Sequence, residues 1–230
     1  MEDAWERLSS ITSDSLEWLW YDFAKQGEES AVLAPLASFV TAAAWLSESL
    51  SMSDYSIDRK LGAMLAGFID DPRATGILAR LLECERARFA SNPLDSNSVG
   101  EDIMFAATRW SGSRHNEVRQ AGIDVLGKMV DDALQGIHWN TANWAAANLY
   151  LATQGEHASI KRLANATEGQ LEGQEFVKKV ASSLRAKDRS TVNQFATPAS
   201  PVLKLAPDDS RYEQASRLWA AAAEVEKSSG

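Results

Sequence analysis

Apolar residues recur at three- and four-residue steps along almost the whole chain, and no stretch alternates strictly enough to make a strand. That periodicity confines the chain to an all-α fold of about ten amphipathic helices. The first runs from Trp5 to Phe23, with Leu8, Ile11, Leu16 and Leu19 on its apolar side, and Lys25-Gln26-Gly27 closes it. A second spans 31–50, with Pro35 in its first turn and Leu36, Phe39, Val40, Ala43, Leu46 and Leu50 as its stripe. A third follows from Asp54 through Phe68, and Asp71-Pro72 opens a helix that carries Ile77, Leu78, Leu81 and Leu82. Residues 91–97 read as a loop, after which Ser98 and Glu101 form a capping box for a helix through Trp110. Asn116 caps the next, which Gly136 ends. An Ala-rich helix follows from Asn140 or Thr141 to Gly155, and then a short one with Ile160 and Leu163. Two further capping boxes, Thr167/Gln170 and Ser210/Glu213, open helices with Leu171, Val177, Val180 and Leu184, and with Tyr212, Leu218, Trp219 and Val225.

A chain of 230 residues buries a core without covalent staples. The expected organisation is one helical domain over 1–188, a Pro-containing linker over 189–209, and a C-terminal helix over 210–230 packed on the same domain. The single Cys84 excludes an internal disulfide and a Cys-based zinc site. Three histidines, His115, His138 and His157, are too few and too scattered for a His-rich metal centre. No metal and no cofactor is expected. No apolar run reaches the ~18 residues of a membrane span. The start Met1-Glu2-Asp3 lacks secretory or transit character, so the expected location is the cytoplasm and no membrane partner is expected.

Charge is unevenly placed. Residues 1–58 hold eleven acidic residues against Arg7 and Lys25, so they carry the entire net charge of −9, and the remainder is neutral. The same segment holds four of the eight tryptophans: Trp5, Trp18, Trp20 and Trp45. Such a field disfavours nucleic acid, which is held largely by Lys and Arg on phosphate, and favours a basic protein partner. Trp18 and Trp20 lie two positions apart and cannot share one helix face, so one of them is the first candidate for an exposed anchor. The candidate partner-binding residues are Trp18, Trp20, Glu17, Asp14, Asp22 and Trp45. The other tryptophans are expected to fill the core, at least in part.

Several segments share a pattern. Residues Asp54 to Phe68 followed by Asp71 to Leu82, then Asn116 to Gly127 with its Val118-Arg119 and Leu126-Gly127, then Trp144 to Leu163, place an Ala or Gly pair and Leu at similar positions. These segments resemble HEAT-like helical repeats of the short, bilin-lyase type, over about 54–165. The resemblance implies an α-α superhelix whose surface binds partners. Asp58 and Trp144 stand where the family usually has Arg, which implies a degenerate, compact version.

Catalytic signatures are lacking: there is no nucleotide-binding glycine motif, nucleophile elbow or zincin motif. Glu156-His157 reads as a polar inter-helix loop, His115 as a turn residue, and Cys84 lies between Glu83 and Glu85, which disfavours its thiolate. No catalytic residue is assigned. The expected function is a non-catalytic module that captures a basic protein, as a toxin-neutralising (immunity) protein or an adaptor. The alternative is an enzyme or enzyme subunit on the same scaffold, of bilin lyase or DNA glycosylase type. The latter would need a basic groove drawn from Arg59, Lys60, Arg109, Arg114, Arg119, Lys161 and Arg162.

Overall fold

A computed structural model describes residues 3–198 and 201–229, apart from the side chains of Asp14 and Ser15. Among the described residues there are twelve α-helices, three short 3-10 turns and no strand. Helix α1 (Ala4–Asp22) starts at Asp3, whose carboxylate accepts from the Trp5 N–H. It leads into a 3-10 turn, Ala24–Gln26, which Gly27 closes at φ +75°. The helix expected over 31–50 is two, α2 (Ser30–Leu36) and α3 (Val40–Ser51). The break has a local cause. The Ser38 hydroxyl donates to the Pro35 carbonyl, and the Phe39 N–H turns back to Leu36 instead of continuing the helical ladder.

Helix α4 (Ser56–Phe68) is followed by a 3-10 turn, Pro72–Ala74, capped by Asp71, and α5 begins only at Ile77 (Ile77–Phe89). The expected loop over 91–97 is mostly helix. Asn92 caps and Pro93 opens α6 (Pro93–Ser111), so Ser98 lies inside the helix and caps nothing. Then come α7 (Asn116–Leu134), α8 (Ala142–Thr153) and α9 (Ala158–Ala164). The Thr167/Gln170 box forms reciprocally, yet it opens only a 3-10 turn. Gly173, at φ +76°, resets the chain before α10 (Glu175–Arg185). Residues at the start of the expected linker form α11 (Arg189–Gln194), capped by Asp188. The last helix is α12 (Tyr212–Ser229). Asp209, rather than Ser210, turns the chain into it, by accepting from the Arg211 and Tyr212 N–H groups.

The helices pair in two layers. α3, α5, α7 and α9 stack in one, and α4, α6 and α8 in the other, with each pair joined across the core. The segments matched as repeats divide between the layers: 54–68 and 144–153 fall in the second, 116–134 in the first. α10 covers one end against α8 and α9. α1 and α12 pack together and cover the other end, against α3 and α2. One core links them, from Leu8 and Phe23 through Leu65, Leu78, Ile103 and Trp110 to Leu163, Val180 and Leu218. At its centre the Trp110 indole donates to the Ala66 carbonyl at 2.9 Å.

α12 reaches the N-terminal end by way of a strap that crosses the outer face of the second layer. The Thr197 N–H donates to Asn148 on α8. Val202 lies beside Phe68 and Arg109. Ser30, at the start of α2, donates to the Pro201 carbonyl and accepts from the Leu203 N–H. Arg211 then donates to the Asp22 carbonyl and to Glu28 at 2.7 Å each.

Candidate functional site

The six residues singled out from sequence do not converge. The Asp14 side chain lies outside the described residues. Trp18 turns inward and packs edge-on against Phe23, with ring centroids 5.0 Å apart. Trp45, at 37%, is the most exposed described tryptophan, but it sits on α3, paired with Trp5 at 5.1 Å. Trp20 faces α4, where the Lys60 ammonium lies 4.5 Å from its ring centroid. Glu17 is exposed and Asp22 half-buried. No cation among the described residues comes within ion-pair distance of Glu6, Glu17 or Asp22, whereas other acids of the first quarter are met by cations from far along the chain. Arg80 pairs with Glu48, and Arg211 with Glu28.

Trp20 forms one wall of a cleft of about 480 Å³. The C-terminal end of α1 and the following turn form one side; α4 and α6 form the other. Gly67 makes the floor: a Cβ there would stand 2.9 Å from the Cβ of Ala106, so the two helices cross closely and leave the longer side chains splayed outward. Those side chains are Lys60, Met64 and Phe68 from α4, spaced one helical turn apart, and Glu101, Asp102, Phe105 and Arg109 from α6. Glu29, just before α2, closes the far end.

Three charged groups of the cleft, Asp102, Glu29 and Arg109, are poorly solvated. Asp102 is pushed up from 3.8 to about 8, chiefly by burial; Lys60 opposes this, and Glu101 and Glu29 add to it. Its Oδ2 lies 3.8 Å from Lys60 Nζ, too far for a hydrogen bond, and has no hydrogen-bond partner. Glu29 is likewise raised by burial, with Arg109 opposing, and its Oε2 is buried with no hydrogen-bond partner. Burial lowers Arg109, which lies 4.2 Å from the centre of the Phe68 ring. Three carboxyl groups (Glu29, Glu101 and Asp102), three cations (Lys25, Lys60 and Arg109) and three aromatic rings thus line one hollow.

Sequence reasoning missed this site. The sequence places Lys60 only in a basic groove and Glu101 only as a cap; Arg109 it offers for that groove or, on the enzyme alternative, for a cleft beside a perturbed carboxylate. The available signal was Asp102 on the flank of the buried stripe Val99–Ile103–Ala106–Trp110. Three other cations of that groove are held elsewhere. Arg59 is buried against Glu85 at 2.5 Å, Lys161 pairs with Glu156, and Arg162 with Asp131. Arg86, Asp132 and the Trp139 indole form a second polar cluster that ties α5 to α7 and to the loop after it. His157 accepts from the Ser159 N–H as a helix cap; His115 and His138 are exposed. Among the described residues no group of three or more His, Cys, Asp or Glu could hold a metal ion, and no helix is long and apolar enough to cross a membrane. No family model, curated protein or solved structure matches the chain.

Proposed function

We propose that the protein is a non-catalytic binding module that captures a basic protein partner. One observation carries the reading: the outward stripe of α1 at positions 6, 10, 13, 17 and 21, where Glu6, Glu17 and Tyr21 are exposed beside the cleft wall at Trp20. The two carboxylates of this stripe draw a cationic surface toward it, and a half-exposed tyrosine offers contact area at low conformational cost. The paired helices supply a rigid base of the kind HEAT-like repeats use, and we propose the chain as a degenerate relative of them. A cytoplasmic toxin-neutralising or adaptor role fits this surface.

A tagged pull-down from the source cells at low and high salt tests the reading. The expected result is a stoichiometric basic protein at low salt. Its association slows as salt rises, because exposed charges are screened within about 10 Å at 0.1 M. A Glu6→Lys, Glu17→Lys variant slows association more than it speeds dissociation. Recovery of no protein, or an on-rate indifferent to salt and to the reversal, overturns it. The alternative, an enzyme or enzyme subunit, draws on Asp102, a carboxyl that burial keeps protonated at neutral pH and so able to donate a proton.

A further inference from the structure

We propose that the cleft between Trp20 and helices α4 and α6 is a binding site for an aliphatic chain that ends in an ammonium or guanidinium group. This goes beyond the protein-capture reading and does not rest on it. A free alkylamine and a Lys or Arg side chain present the same group, and either could fill the cleft.

Three observations fit this guest. The hollow, about 480 Å³, holds a short chain, with Trp20, Met64 and Phe105 as apolar and aromatic walls. Two buried acceptors, Glu29 Oε2 and Asp102 Oδ2, have no donor. Orphaned buried carboxyl oxygens are costly, and a multi-donor cation satisfies them together. Finally, the charges that reach Asp102 are unbalanced: Glu101 and Glu29 oppose its ionisation and Lys60 alone favours it. One further positive charge beside Asp102 offsets the two carboxylates that oppose its ionisation.

Binding is coupled to a proton. An arriving cation favours ionised Asp102, which releases the proton it holds at neutral pH to solvent. The groups facing Asp102 are Lys60 from α4, Glu101 from its own helix and Glu29 from just before α2.

The test is calorimetric titration of the full chain with n-butylamine, with butylguanidine and with N-acetyl-lysine methylamide, and with sodium acetate as the anionic control. The amines and the guanidine bind. Their affinity rises by up to about tenfold per pH unit from about pH 6 to about pH 8, and the heat varies with buffer ionisation enthalpy, as one released proton requires. Asp102→Asn abolishes the proton release and Glu29→Gln weakens binding by about tenfold. Both variants are checked by circular dichroism, and the buffer dependence in Glu29→Gln is read separately, so that misfolding of either leaves the other decisive. Binding of butylamine but not of the capped lysine assigns the site to a free amine; binding of the capped lysine assigns it to a protein side chain. Acetate binding in place of the amines, no binding by any of the cations, or an affinity that falls as pH rises overturns the proposal.

Discussion

Asp102 stands beside the buried stripe of α6, where a leucine would pack without cost and a carboxylate has to be neutralised. Its folded value of about 8 lies above the ordinary 3.8, so the folded chain binds the extra proton. The stabilising contribution is therefore complete below about pH 4 and is lost as pH rises through about 8. Glu29 and Asp132, both raised by burial, push in the same direction. Asp102→Asn should therefore unfold at a higher denaturant concentration than the parent at about pH 9, with a gain of at least about 1.4 kcal/mol, the equivalent of one pKa unit. The gain should vanish only below about pH 4, where the unfolded chain is protonated too. Equal stabilities of parent and variant at alkaline pH would show that Asp102 is solvated and titrates normally. This site was barely legible in the sequence. An acid on the flank of an apolar stripe looks like any solvated helix acid until the neighbouring helices are placed. Trp20 and Lys60, which share the cleft with Asp102, lie 82 and 42 positions away along the chain.

Helices themselves were legible, because each carries its own period and most carry a cap. The misreadings came where two local signals competed. Pro35 read as a helix start, yet the Ser38 hydroxyl takes up the carbonyl that the next turn needs, and the segment splits into α2 and α3. Ser98 and Glu101 have capping-box spacing, but Asn92-Pro93 lies earlier and opens α6 first. Packing between helices left a different trace, in glycine. Gly122 on α7 has room for no side chain: a Cβ there would stand 2.6 Å from the Ala107 carbonyl oxygen and the Ser111 nitrogen on α6. Both are backbone atoms and cannot rotate away. Gly122→Ala should therefore push α7 off α6 and cost about 1–3 kcal/mol, despite alanine's better helix propensity. An unchanged or raised melting temperature would mean that the two helices are less closely seated than this geometry requires.

At the scale of the molecule, sequence order and spatial order part company. α12 is last in the chain and yet packs on α1, α2 and α3, so it covers the end of the stack where the chain began. A helical stack needs its terminal pair shielded, since an uncovered layer exposes the apolar faces that would meet the next pair. Here Ala215, Leu218, Ala221, Ala222 and Val225 do that shielding, and the Trp219 indole donates to the Val32 carbonyl at 3.0 Å. Arg7 on α1 pairs with Glu224 at 3.0 Å, and Thr41 at the start of α3 donates to Glu226. A fully buried Leu or Val is worth about 1.5–3 kcal/mol, whereas an exposed pair such as Arg7–Glu224 is worth under about 1 kcal/mol. The apolar stripe therefore dominates. Ending the chain at Thr197 should lower the melting temperature sharply and raise binding of a hydrophobic dye, because Leu8, Leu33 and Leu46 lose their cover. Arg7→Ala should shift the melting temperature far less than the truncation does. A truncated chain that melts with the parent would show that α12 is free of the stack. That result would also remove the reason for the strap to cross α8, α6 and α4, since the strap's course is fixed by the distance α12 has to return.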